Sequence, residues 1–129
     1  MKANGLTSRD LMIGDWLMHA NGTPMQVKRI VFGHFACGEK YTNFWEYNNI
    51  FQPIPLTPEI LEKNGFEGIK GGRFPTLKNC YGDILFQLED IKNEYIRDTL
   101  YMFKNIPIFY VHELQNALRL CRIEKEIVV

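Results

Sequence analysis

The last 23 residues constrain this chain more than any other segment. An apolar, β-prone run, Pro107-Ile-Phe-Tyr-Val, changes period and becomes an amphipathic helix, His112-Glu-Leu-Gln-Asn-Ala-Leu-Arg-Leu-Cys, then closes on the apolar tail Ile127-Val-Val129. Val111, Leu114, Leu118 and Cys121 recur at i, i+3, i+7 and i+10, which predicts one buried helical stripe. A strand that feeds a helix with one apolar face needs a sheet to pack on, so the segment points to an α+β layout. Glu124 to Val129 reads as a final edge strand.

A second signal lies mid-chain, in Pro53-Ile-Pro-Leu-Thr-Pro-Glu-Ile-Leu-Glu-Lys-Asn-Gly-Phe66. Thr57 suits an N-cap, because its hydroxyl can accept an otherwise orphan amide. Pro58 fits the first helical position, where its missing N–H costs nothing. Leu56 and Leu61 have the spacing of a hydrophobic staple. Asn64-Gly65 should end the helix, with glycine in the left-handed position. A two-turn helix over 58–64 is predicted.

Before this helix, residues 11–55 read as a β meander. Asn21-Gly22 is a turn dipeptide between two apolar runs, so Asp15 to Phe32 should be a hairpin, with a bulge near Lys28-Arg29. His34 to Cys37 and Phe44 to Tyr47 are candidate further strands, and the whole suggests a small SH3-like or open barrel. After the helix, residues 67–82 read as a Gly- and Lys-rich loop, with a short strand near Arg73-Phe74. Strands are then expected over Ile84–Asp90, Asn93–Phe103 and Ile106–Val111, with Pro107 at an edge or strand start; an amphipathic helix over 87–103 is the competing reading, against which Tyr95, Thr99, Tyr101 and Phe103 favour strand. The expectation is one domain over 1–129, with a β meander at 11–55 and an αβββα region at 56–129.

Composition excludes several classes. The chain has 129 residues, and 15 basic residues balance 15 acidic ones. Residues 1–52 carry five basic and four acidic groups and residues 53–129 ten and eleven, so no half is polarised toward nucleic acid. Cys37, Cys80 and Cys121 are odd in number, far apart and without a CxxC pair, which argues against a disulfide framework or a zinc knuckle. No apolar leader opens residues 1–10, and no run approaches the ~18 apolar residues of a membrane span. A soluble, cytoplasmic protein without a membrane association is expected.

The two strong signals together also resemble a known group. "PIPLTPEILEKNGF", followed by "YVHELQNALRL" and preceded by the Ile13-Gly14-Asp15-Trp16-Leu17 strand, is similar to a family of small uncharacterised proteins of gut anaerobic bacteria, their prophages and other mobile elements. The likeness runs from about Leu11 to Ile127. It implies an accessory, phage-associated role and brings no activity with it.

Several residues are candidates for chemistry, each with a structural alternative. His112, Gln115, Asn116 and Arg119 share a helix face and could bind a peptide, nucleotide or phosphate; otherwise His112 fixes the strand-to-helix corner and the others hydrogen-bond nearby or meet solvent. Trp16 and Trp45, with Tyr41, Phe44 and Tyr47, could form a stacking surface for single-stranded nucleic acid; packing within a small barrel is their more economical use. His19, His34 and Cys37 lack the close pairings of a zinc site. Lys70-Gly-Gly-Arg73 lacks the phosphate-loop pattern. No catalytic constellation and no cofactor is indicated. The reading is a non-catalytic interaction protein that binds another protein or itself, with a nucleic-acid module using the barrel face as the alternative.

Overall fold

A computed structural model describes residues 11–31, 34–37, 51–69, 74–91 and 100–129. Its described residues are mostly β, with two helices, and belong to the α+β class. Contacts divide the chain into two compact units. The first holds the described residues up to Ile54 together with Tyr110–His112, and the second holds Pro55–Phe109 and Glu113–Val129.

The first unit is a curled sheet of four antiparallel strands, β1 (Trp16–His19), β2 (Pro24–Val31), β3 (His34–Cys37) and β4 (Phe51–Pro53), in the order β3-β2-β1-β4. The expected hairpin is present: Trp16 faces Gln26 and Leu17 faces Met25. Gly22 turns it with φ of +88°, which glycine adopts without steric cost. Asn21 stiffens the turn, since its Oδ1 accepts the Thr23 N–H at 2.9 Å. The expected bulge is also present, as a register shift between Val27 and Arg29. An extra residue there bends and twists the strand, which helps the sheet to curl. Among the described residues β4 pairs with β1 alone and lies at an edge, where Pro53 is tolerated. Leu11, Leu17, Val27, Phe35, Ala36, Cys37 and Phe51 form the core, with Met25 and Ile30 packed against it. Asp15, fully buried, accepts the Met12 N–H on Oδ2 at 2.8 Å and so ties off the loop before β1. The Phe44–Tyr47 strand lies outside the described residues.

The second unit begins with α1 (Pro58–Lys63), capped as predicted. Thr57 Oγ1 accepts the Ile60 N–H at 3.3 Å. At the other end Gly65 is left-handed, with φ of +84°. The Gly65 N–H reaches the Glu62 carbonyl and the Phe66 N–H reaches that of Leu61, the paired bonds of a Schellman stop. Leu56, Leu61 and Phe66 are buried.

The region 67–82, expected to be a loop with a short strand near Arg73-Phe74, carries a strand slightly later, at Thr76–Lys78. β5 (Thr76–Lys78) pairs antiparallel with β6 (Ile84–Gln87). Lysine and glycine around it obscured a strand only three residues long. The β5–β6 turn is held by Asn79, whose Oδ1 accepts the N–H groups of Tyr81 and Asp83, both at 2.9 Å. The strand expected over Ile84–Asp90 is broken in two. Buried Leu88 donates its N–H to the Pro75 carbonyl, and β7 (Glu89–Ile91) then joins a different sheet. That sheet has the order β7-β8-β9, with β8 (Leu100–Phe103) and β9 (Ile106–Ile108) antiparallel. Of the strand expected over Asn93–Phe103, residues 93–99 lie outside the described residues. Pro107 sits on the edge strand β9, as expected. Lys104 and Asn105 join β8 to β9 with φ of +47° and +68°, a two-residue turn of the twist that hairpins favour.

The closing helix α2 spans Val111–Leu120. Glu113 reaches back so that its Oε1 accepts the Phe109 N–H at 2.9 Å. Val111, Leu114, Ala117 and Leu118 are buried. Cys121, expected at the end of that stripe, is exposed, because the helix stops one residue earlier and Arg122 turns left-handed with φ of +58°. Ala117 fills the stripe in its place. The expected edge strand over 124–129 does not form either; no strand is assigned after α2.

Candidate functional site

The helix positions predicted to carry recognition are placed as follows. His112 and Gln115 are buried, while Asn116 and Arg119 are half-buried. Buried residues occupy more than half the helix circumference at 3.6 residues per turn, so the predicted polar face falls partly inside it. Arg119 Nη1 donates to Asn116 Oδ1 at 2.9 Å, which joins these two side chains one turn apart. The His112 imidazole stacks on the Tyr110 ring with centroids 5.9 Å apart and planes within 9° of parallel.

Trp16 is half-buried on β1, opposite Gln26. Trp45 lies outside the described residues. His19 packs edge-on against Phe51 at 5.2 Å, and its Nδ1 accepts the Asn21 N–H at 3.0 Å. Cys37 is buried in the core, and burial pushes its thiol up to about 12. Among the described residues no cluster of three or more His, Cys, Asp or Glu side chains could hold a metal ion.

Sequence reading missed a concavity in the second unit. An open cleft of about 370 Å³ runs beside β6 and β8. Its aromatic lining comes from Phe86 and Phe103, stacked with centroids 4.5 Å apart and planes 19° from parallel. Phe66 meets Phe86 edge-to-face at 6.3 Å, and the Lys104 ammonium lies 5.4 Å from the Phe103 centroid. Quadrupole attraction favours both arrangements. Phe74, Ile84, Leu85 and Met102 add apolar lining, while Gln87, Glu89, Lys104 and Cys121 supply the polar groups. Phe74, Ile84 and Leu85 remain 48%, 59% and 46% exposed, although all three are apolar. Their signal was available in the run Ile84-Leu85-Phe86. Successive strand side chains point to opposite faces, so three consecutive apolar residues on a short strand cannot all enter one core.

Chemically, the described lining offers apolar area, two stacked rings and the Lys104 ammonium. Glu89 and Cys121 are the carboxylate and thiol among its described lining residues. Its described lining can hold an apolar group. No protein-family model matches the chain, and no curated protein or solved structure matches it.

Proposed function

We propose that this chain is a non-catalytic accessory protein that binds another protein through the cleft beside β6 and β8. The cleft itself carries the reading. Phe74, Ile84 and Leu85 leave apolar surface exposed around the Phe86–Phe103 stack. Aromatic residues and Met are enriched where proteins associate, and a concave apolar site rimmed by polar groups is where a partner's side chain gains most. The site has the character of an anchor pocket, not of a reaction centre. Such a role agrees with the accessory setting implied by the family resemblance. The three cysteines without a disulfide accord with a reducing compartment such as the cytoplasm. No helix among the described residues is long and apolar enough to cross a membrane. For the first unit, the curl of its four-stranded sheet and the β2 bulge support an SH3-like arrangement.

The test combines light scattering with apolar-dye binding on the full chain. Expected are dye fluorescence or concentration-dependent association in the wild type, and loss of both in Leu85→Asp with an unchanged far-UV spectrum. A chain that stays monomeric at high concentration and binds no dye overturns the reading. The nucleic-acid alternative draws on Lys28 and Arg29, both exposed at the β2 bulge. It requires a salt-dependent gel shift with single-stranded DNA or RNA, and no shift at low salt removes it.

A further inference from the structure

The segment after α2 is held in an unusual way. Glu124, Lys125, Glu126 and Val128 are exposed, while Ile127 is only 2% exposed. No strand is assigned there, yet the backbone of Val128 is paired at both of its polar groups by one side chain. Asn64 Oδ1 accepts the Val128 N–H at 2.8 Å, and Asn64 Nδ2 donates to the Val128 carbonyl at 2.7 Å. A side-chain amide offers one acceptor beside its donors, so it can stand in for the peptide group of a partner strand. The same Nδ2 donates to the Ile60 carbonyl at 2.7 Å, which fixes the amide at the end of α1. Lys63 Nζ adds a bond to the Val129 oxygen at 2.9 Å. Asn64 itself is 3% exposed.

We infer that residues 124–129 form a strap latched by Asn64, able to lift as a unit while α1 and α2 stay folded. Three observations carry this. Of residues 124–129, Ile127 is buried and Val129 half-buried, while the other four are exposed. Two side chains at the end of α1 supply bonds to the backbone of Val128 and Val129. Upstream, the Ile123 N–H is bonded to the Leu118 carbonyl, so α2 is closed by its own stop and does not need the strap to finish it. Segments with little buried apolar surface open at lower free energy than the elements they lie on. Lifting the strap uncovers the Asn64 amide and the seat of Ile127, which makes the latch a built-in switch between a covered and an uncovered α1 end.

Hydrogen exchange of the full chain, read residue by residue by NMR, tests the strap. The Val128 amide should exchange at least ~100-fold faster than the α2 amides of Leu114 to Leu118, after correction for intrinsic rates. Asn64→Ala should abolish the protection of Val128, and the α2 amides should lose no more than the protection Val128 had. Lys63→Ala, which removes only the Val129 bond, should accelerate Val128 by a smaller factor. If Val128 exchanges in the wild type at the same free energy as α2, the segment opens only on global unfolding and the inference fails. That comparison decides the matter even where Asn64→Ala does not fold.

Discussion

At Arg122 the chain adopts φ of +58° directly after α2. The Arg122 N–H bonds to Arg119 and the Ile123 N–H to Leu118, so an arginine holds the position that Gly65 holds after α1. A side chain in the left-handed region costs about 1–2 kcal/mol, which glycine avoids. Arg122→Gly should therefore stabilise the fold by roughly 0.5–1 kcal/mol, the gain being reduced by the extra freedom glycine has when unfolded. Urea unfolding of the two proteins checks this, and a lower midpoint for the glycine variant would count against the cap geometry. Asn64 shows the same economy at residue scale. Its amide serves as helix stop, carbonyl partner and strand mimic at once.

Among elements, α2 is the most instructive. Its apolar positions were readable from spacing, and Leu114 and Leu118 are buried as expected. The far side was harder to read, since Leu120 is 83% exposed while polar Gln115 is buried. Leu114→Ala should cost about 2–5 kcal/mol through lost burial and the cavity left behind. Leu120→Ala should change stability by less than about 0.5 kcal/mol. Thermal unfolding of this pair tests the facing of the helix, and comparable losses would mean that the face is wrong. The capped helix α1 was the most legible element because its signals are local. Thr57, Pro58, Asn64 and Gly65 each act on neighbouring backbone, and each is found where the spacing put it.

Across the whole molecule, two buried acids link stability to pH. Burial holds the Cys37 thiol at about 12, against an ordinary value of 9.0. Burial, then the charges of Asp90 and Glu59, hold the Tyr101 phenol at about 12, against 10.0. Between these ordinary values and about pH 12 the folded chain keeps protons that the unfolded chain has lost. Raising the pH therefore favours unfolding, and the stability contributed below pH 9 is lost through this window. One such proton gives a slope of about 1.4 kcal/mol per pH unit at most. Chemical denaturation from pH 8 to 11 should show stability falling, and Cys37→Ala should flatten the slope between pH 9 and 10. An equal slope in both proteins would mean that the thiol ionises normally when folded. A thiol reagent should react quickly with exposed Cys80 and Cys121, and with Cys37 only on unfolding.

What the residues dictated without help from distant contacts was local: the Asn21-Gly22 hairpin, the β2 bulge, the capped α1, the edge position of Pro107 and the buried side of α2. Each depends on backbone conformation or side-chain period within about a dozen residues, which a linear chain displays directly. Tertiary structure decided the rest. It split Ile84–Asp90 between two sheets, made a strand of Thr76–Lys78, turned Cys121 outward and kept 124–129 from forming a strand. The cleft belongs to that second group, although half its signal was in Ile84-Leu85-Phe86. Whether an apolar side chain is buried or left at a surface depends on which distant backbone arrives to cover it, and that is a property of the packed chain.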